Sequence, residues 1–591
     1  MRWNINRNRG HLLLPIIGLA LLIFPLKLYA QYYDNIWLLG YDGGSQSPDD
    51  DEFGISILNF NKGELVITSN QEIEMNFNDT NSSICDDNGN LLFYFNGVYV
   101  EDSTYHTMLN GDTLNSWNLF GYDLPQGGLI LPFPNHQDQY YLLHSEEGYI
   151  DKPGWYLECT GLFYSIIDMA ENDGLGEVIQ RKVSIINDTL EYGKLTGTRH
   201  ANGRDWWIII NKSHSNIYYV LLLSDKGLEL YNIQEVGIYT PEGLGQAVLS
   251  PNGNTYVKFN VIDFQSGAFV DIYDFNRCTG NLSNHRQINI HDQASSGGVA
   301  ISPNSRYLYV TTSNFIYQYD LFYGNIDMSK RTVAVYDGYE NPFPTQFYLA
   351  QIAPDGKIYV ACKNGSKSLH VINSPDNQGN QCEVYQHRIE LPTYNASSIP
   401  NFINYRLGPL DGSPCDTLGI NNVPIAKWRY EEDQPGWRYD IRFTDLSFYN
   451  PQLWHWDFGD GDTSEEIHPV HSFENGLFHV CLTVSNENGS DSACQWVEIL
   501  PTSLDAETNS TVVDLSINPN PFSEKLEIRS KSGILRTTSL EVFNIHGKLV
   551  LKQPNAPVPV SLYFPQLPTG MYLFRISEQD GTIYQFKVMK I

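Results

Sequence analysis

The sequence predicts an all-β protein built of several domains. Three observations carry that reading. Tyr and Phe number 38 and 28, and glycine 47, in 591 residues, a mix that favours strands and tight turns over helices. Aromatic and β-branched runs follow turns rich in Pro, Asn, Asp and Gly along most of the chain. Two stretches, 408–436 and 501–514, break this pattern and read as linkers between domains.

The first 30 residues have the form of a secretory signal peptide. Arg2, Arg7 and Arg9 precede an apolar run over 12–26, and Leu28-Tyr29-Ala30 places a small residue for cleavage after Ala30. The run is broken by Pro15 and Pro25 and is short of the ~20 residues a membrane helix needs. No cysteine follows it directly, which argues against a lipoprotein. No later stretch is apolar enough to span a bilayer, so no transmembrane anchor is expected in the mature chain. The formal net charge is -31; removing the four basic leader residues Arg2, Arg7, Arg9 and Lys27 gives -31 - 4 = -35. So acidic a surface repels phosphate backbones and argues against nucleic acid and anionic lipid as partners.

Residues 31–407 repeat one pattern. Ser250-Pro251-Asn252-Gly253, Ser302-Pro303-Asn304 and Ala353-Pro354-Asp355-Gly356 each precede two strands and stand about 50 residues apart. Looser copies begin at Asp87-Asn88-Gly89, Asn135 and Asn202-Gly203. A period near 50 made of short strands predicts a β-propeller of six or seven blades, because each blade needs neighbours to bury its faces. The ends of this stretch, NIWLLGYD and SIPNFINYRL, could complete a shared closing blade. The repeat units resemble those of WD-type and related surface propellers, a likeness that says little about function.

Residues 437–500 read as a compact β-sandwich. Trp456 to Gly461 (WDFGDG), Pro469/His471/Phe473 and Val480 to Asn486 occur in order, and the segment resembles a polycystic-kidney-disease (PKD) domain, an immunoglobulin-like fold. In residues 515–591, strands such as KLEIRS and MYLFRIS alternate faces. Asn518 to Phe522, Leu540 to Asn544 with Gly547-Lys548, and Leu567 to Tyr572 resemble the three blocks of the C-terminal sorting domain of the type IX secretion pathway of Bacteroidetes, and Lys590 supplies its usual terminal basic residue. That resemblance implies the type IX machinery as a partner, export across the outer membrane, and either release or attachment at the cell surface. The predicted architecture is therefore a six- or seven-bladed propeller followed by two immunoglobulin-like sandwiches.

Catalytic signatures are missing: there is no GxSxG, HExxH, GxxxxGK[ST] or dinucleotide fingerprint. No catalytic, cofactor-binding or metal-binding residue is assigned, and no cofactor is expected beyond a weak case for calcium at Asp49-Asp50-Asp51-Glu52 or Asp457/Asp460/Asp462. Both clusters read better as a solvated loop and as turn geometry. Arg199-His200 through Arg204-Asp205-Trp206-Trp207 could line a sugar-binding mouth, but a turn whose polar groups bond backbone is the stronger reading. Cys481 and Cys494 flank a hairpin turn at Glu487-Asn488, which would set them opposite one another for a disulfide in an oxidising compartment. The other six cysteines cannot be paired from sequence. The function expected is a secreted or surface-attached protein whose propeller recognises polysaccharide or protein, with the PKD domain as spacer or carbohydrate/protein-contact module. The alternative is an extracellular propeller glycosidase, lyase or peptidase.

Overall fold

The computed structural model describes residues 32–41, 52–61, 65–116, 118, 121–150, 156–241, 243–263, 267–433 and 439–499. In the C-terminal part it describes 515–518, 522–530, 535–544, 549–554, 557–558, 560–564, 570–578 and 583–590. The leader with its cleavage point at Ala30, the acidic residues Asp49 to Asp51, and the 501–514 linker lie outside the described residues. No described helix is long and apolar enough to cross a membrane. The chain forms two compact units, 1–498 and 499–591.

Among the described residues of the first unit, seven antiparallel sheets follow one another over 36–396, ahead of the two sheets of the sandwich. Sheet 1 (Ile36–Tyr41, Gly54–Asn59, Val66–Asn70) and sheet 2 (Ser82–Cys85, Leu91–Phe95, Val100–Asp102) have three strands each. Sheets 3 to 7 have four strands in sequence order and begin with Gly128–Pro132, Thr196–Arg199, Leu244–Leu249, Gly297–Ile301 and Phe347–Ile352. These are meanders of local hairpins, and a first strand with both faces covered must be apolar throughout; GGVAI of sheet 6 is buried at every position.

The first strands stand side by side. Ser82–Cys85 lies against Gly128–Pro132, and Thr196–Arg199, Leu244–Leu249, Gly297–Ile301 and Phe347–Ile352 lie each against the next. Buried amides stitch them together. Gln246 Nε2 donates to Ala350 O at 2.8 Å while its Oε1 accepts from Val299 N and Ala350 N, both at 3.1 Å. Gln126 pairs with the main chain of Ala247 through both ends of its amide. The last sheet returns to the first: Ser56 and Thr393 hydroxyls meet at 2.7 Å, and the Trp37 and Tyr359 rings at 5.6 Å.

After sheet 7 the segment 398–406 runs down the middle of these strands. Asn401 N donates to Asn81 O, Gln351 Nε2 to Phe402 O, Asn404 Nδ2 to Pro251 O, and Tyr405 Oη to Ile130 O. The Phe402 ring faces Trp37, and Arg406 forms a buried ion pair with Asp34 just before sheet 1. What space remains there is a cavity of about 40 Å³ bounded by Thr196–Thr198, Val248–Pro251 and Phe402–Asn404.

The sandwich takes its first strand, Trp428–Glu432, from within the 408–436 stretch that the sequence reads as linker. One sheet pairs Trp428–Glu432, Asp440–Asp445 and Val470–Ser472; the other runs Thr463–Ser464, Leu453–Asp457, Gly476–Asn486 and Gly489–Ile499. Trp428, Phe443, Trp456, Val480, Leu482 and Val484 fill the core between them. Residues 408–422 are packed rather than free. Cys278 and Cys415 are bridged, Leu410 N donates to Ala201 O, and Arg277 reaches Gly408 O. Arg429 donates to Asp355 O and Asn373 O of sheet 7, and Glu431 pairs with Lys357 at 3.2 Å. The sandwich is thus seated on the sheets, not held off them as a spacer.

The second unit is a smaller β-structure. Leu515–Asn518, Lys525–Ser530 and Val560–Tyr563 make one sheet; Leu549–Pro554, Leu535–Asn544, Gly570–Glu578 and Ile583–Lys590 make another. Phe522, Leu526, Val542, Phe574 and Val588 are among its core residues. Lys590 is nearly buried, with Nζ on Ser523 O and over the Phe522 ring.

Candidate functional site

The ends at which the first strands begin gather a set of acids and phenols. Asp79 lies just before sheet 2, Asp123 before sheet 3 and Tyr192 before sheet 4; Glu147 comes from the second strand of sheet 3 and Tyr348 from the first strand of sheet 7. Tyr348 Oη donates to Asp79 Oδ2 at 3.0 Å. Asn78 Nδ2 donates to Asp123 Oδ1, and Tyr192 Oη to Asp123 O at 2.7 Å. The Asp123 N–H also serves the Glu147 carboxylate. Asp79 Oδ1 and Glu147 Oε1 are shut off from solvent and accept no hydrogen bond from a described residue.

The electrostatics follow from that crowding. Burial raises the Asp79 carboxyl to about 8; Asp123 adds to the rise and the Tyr348 hydroxyl opposes it. Burial, then Asp123 and Asp79, raises Glu147 to about 8. Asp123 is raised by burial, against the pull of Asn78. The Tyr192 and Tyr348 phenols are pushed up by burial and by these same acids, so both stay protonated. At neutral pH Asp79 and Glu147 keep their protons, while the Tyr348 and Tyr192 protons are already given to Asp79 and to Asp123 O, so the carboxyl O–H groups are the donors the patch has left to offer. Below it the side-chain amides of Gln126, Gln246 and Asn401 bridge the first strands of neighbouring sheets.

The residues that sequence singled out lie elsewhere. Cys481 and Cys494 are bridged across a turn at Glu487-Asn488, with Cα atoms 4.1 Å apart. His200 and Asp205 exchange a backbone bond, Asn202 binds both side chains, and Arg204 pairs with Asp205 and Asp225. Trp206 and Trp207 are buried in the packing between sheets, so the group is a turn and not a mouth. Asp457 and Asp460 accept from Gly459 N and Asp462 N, and Asp460 pairs with His471 at 2.7 Å. Asp460, Asp462 and His471 are near enough to share an ion, but their oxygens serve the turn, and calcium gains no support from them. Of the first acidic cluster only Glu52 is described; it pairs with Lys367.

Comparison with known proteins bears on the two ends of this architecture. Residues 421–500 match the model of the PKD domain and residues 516–590 that of the secretion system C-terminal sorting domain. The protein is secreted. Proteins bearing this type IX sorting domain are often attached to the outer cell surface. No curated protein matches the chain. Among solved structures, the PKD1 domain of the Vibrio cholerae metalloprotease PrtV is 26% identical over 13% of this chain and 98% of its own, with a TM-score of 0.12. The PKD1 domain of Vibrio anguillarum Epp is 24% identical over 14% and 99%, with a TM-score of 0.12. A protein from Lactobacillus plantarum is 12% identical over 62% and 98%, with a TM-score of 0.34. Scores this low carry no argument about function.

Proposed function

We propose that the seven sheets are the blades of a propeller whose first blade is completed by segment 398–406, and that this propeller is the recognition platform of an exported Bacteroidetes surface protein. Its ligand is a neutral, hydroxyl-rich polysaccharide bound at the patch of Asp79, Asp123, Glu147, Tyr192 and Tyr348. The observation that carries the reading is the convergence of exposed Asp123 with half-buried Asp79, Glu147 and Tyr192, where the Asp79 and Glu147 carboxyls are held protonated. Sugar hydroxyls both donate and accept, so they satisfy such a surface, whereas an anionic polymer meets a chain of net charge -31. Delivery to this position is the task of the sorting domain and the type IX machinery.

A second reading, an enzyme acting on polymers, is favoured by the carboxyls held near pH 8, which suit general acid chemistry. A polysaccharide array probed with the secreted chain, followed by reducing-end assays on each polymer retained, separates the two. Retention without cleavage, lost in an Asp79→Ala/Glu147→Ala variant, supports recognition. Cleavage lost in the same variant favours the enzyme, and retention unchanged by it rejects this patch.

A further inference from the structure

Among the described residues Trp496 is the exposed tryptophan, 57% accessible, while Trp37, Trp206, Trp207, Trp428 and Trp456 are buried. It stands on the outer face of the sandwich sheet made by Leu453–Asp457, Gly476–Asn486 and Gly489–Ile499. Strand alternation sends Trp456, Val480, Leu482, Val484 and Val497 inward and leaves His455, Asp457, His479 and Trp496 outside. The His479 ring lies 4.8 Å from the Trp496 ring and props it. The next rung holds the Cys481–Cys494 bridge beside Asp457, and the rung after it Thr483 and Ser492, whose hydroxyls meet at 2.7 Å, beside His455.

We propose that this face is a second polysaccharide contact, on which Trp496 stacks against a pyranose ring and His455, Asp457, Thr483 and Ser492 hydrogen-bond the sugars beyond it. Two alternating steps of a strand carry the platform over roughly 14 Å, the length of two to three sugar rings in a row. An indole presents a flat apolar surface of the size of one ring face, with its polar neighbours at the rim where hydroxyls project. A protein partner fits poorly. Even with the exposed Leu453 and Leu477, the apolar surface amounts to roughly a few hundred Å², against about 800 Å² per side in a stable protein complex. The ligand is neutral for the same reason as above, and Asp457 next to the bridge repels carboxylated sugars. The bridge ties Cys481 to Cys494 and so fixes the two strands that carry His479 and Trp496, which limits the order lost on binding.

The contact is independent of the acid and phenol patch. The test is retention of the full secreted chain on three insoluble neutral polymers: amorphous cellulose, chitin and curdlan. Trp496 and His479 are exposed, so Trp496→Ala and His479→Ala leave the fold intact, which the unfolding midpoint verifies. We expect Trp496→Ala to reduce retention on at least one polymer by five-fold or more, Trp496→Tyr to keep most of it, and the reduction to persist in an Asp79→Ala/Glu147→Ala background. Retention on none of the three, retention indifferent to Trp496→Ala, or loss that follows only the Asp79/Glu147 variant would each overturn the proposal, the last leaving the other patch as the sole site.

Discussion

Asn401 donates its side-chain amide to the carbonyl of Gly128 at 2.8 Å, across 273 positions of sequence. The same amide reaches Leu195 O at 3.0 Å, so one residue after the last sheet joins sheets 3 and 4 at their inner strands. Asn401→Leu keeps the volume and removes both donors. Two buried carbonyls left unpartnered cost about 1–3 kcal/mol each. Chemical denaturation should show a loss of roughly 2–6 kcal/mol; a loss below ~0.5 kcal/mol would mean that segment 398–406 is not what holds the inner strands.

The bridge between Cys278 and Cys415 closes a loop of 137 positions and holds residues 408–422 against sheets 4 and 5. Loops of that length gain on the order of 4–5 kcal/mol from a cross-link in the chain-entropy model. A Cys278→Ser/Cys415→Ser variant should unfold at lower denaturant and be cut first within 408–422 by a protease of broad specificity, since that stretch holds no Lys or Arg for trypsin. An unchanged digestion pattern would show that the contacts of Arg277 and Leu410 suffice without the bridge.

Glu431 joins the sandwich to sheet 7. Burial opposes its charge, yet Arg429, Lys357 and Arg442 hold its carboxyl down to about 2. Glu431→Ala leaves three cations facing one another. Because the group is one-fifth exposed, the expected loss is roughly 2–3 kcal/mol, below the 3–5 of a fully buried pair. The folded carboxyl is lowered, so its contribution is present above about pH 4.5 and fades as pH falls toward 2. The gap between parent and variant should therefore be at its full size above pH 5, shrink below about pH 4.5 and close only as pH falls through about 2.

Asp79 has the opposite sign. Its carboxyl is raised from 3.8 to about 8, so the folded chain keeps a proton that the unfolded chain releases, and stability falls as pH rises through that window. Asp79→Asn cannot ionise. Its melting temperature should match the parent at pH 4 and exceed it at pH 8 by roughly 2–4 °C. A variant less stable than the parent at pH 8 would contradict the raised carboxyl.

How much of this is written in the sequence depends on the distance between partners. The six turn copies, from Asp87-Asn88-Gly89 to Ala353-Pro354-Asp355-Gly356, all fall between the first and second strands of sheets 2 to 7. They are visible because each sheet is a meander of neighbours in sequence. None of the six falls in sheet 1, and the residues that run beside it after sheet 7, 398–406, are among those that suggested a shared closing blade. The Cys481–Cys494 bridge was readable for the same reason, its hairpin being local. Residues 408–422 misled because Gly, Pro and Asp are as suited to a packed loop as to a free linker, and what packs them, Cys278 and Arg277, is over 130 positions away. Asp79, Asp123, Glu147, Tyr192 and Tyr348 gave no signal. They span about 270 positions, each is an ordinary residue among 68 acids or 38 tyrosines, and only the return of sheet 7 to sheet 1 assembles them.

The most direct test of the account is the affinity of the secreted chain for the polysaccharide it retains best, measured by calorimetry from pH 6 to 9.5. In the proposed complex protonated Asp79 and Glu147 donate to the sugar, and both face Asp123, Tyr192 and Tyr348, which hold no positive charge to offset ionisation. Affinity should be level to about pH 7.5 and fall at least ten-fold by pH 9.5 as the two carboxyls lose their protons. An Asp79→Asn/Glu147→Gln variant, which keeps neutral donors, should bind at pH 7 and lose the pH dependence. Affinity that is flat to pH 9.5 in the parent, or that falls equally in this variant, would contradict binding at the patch.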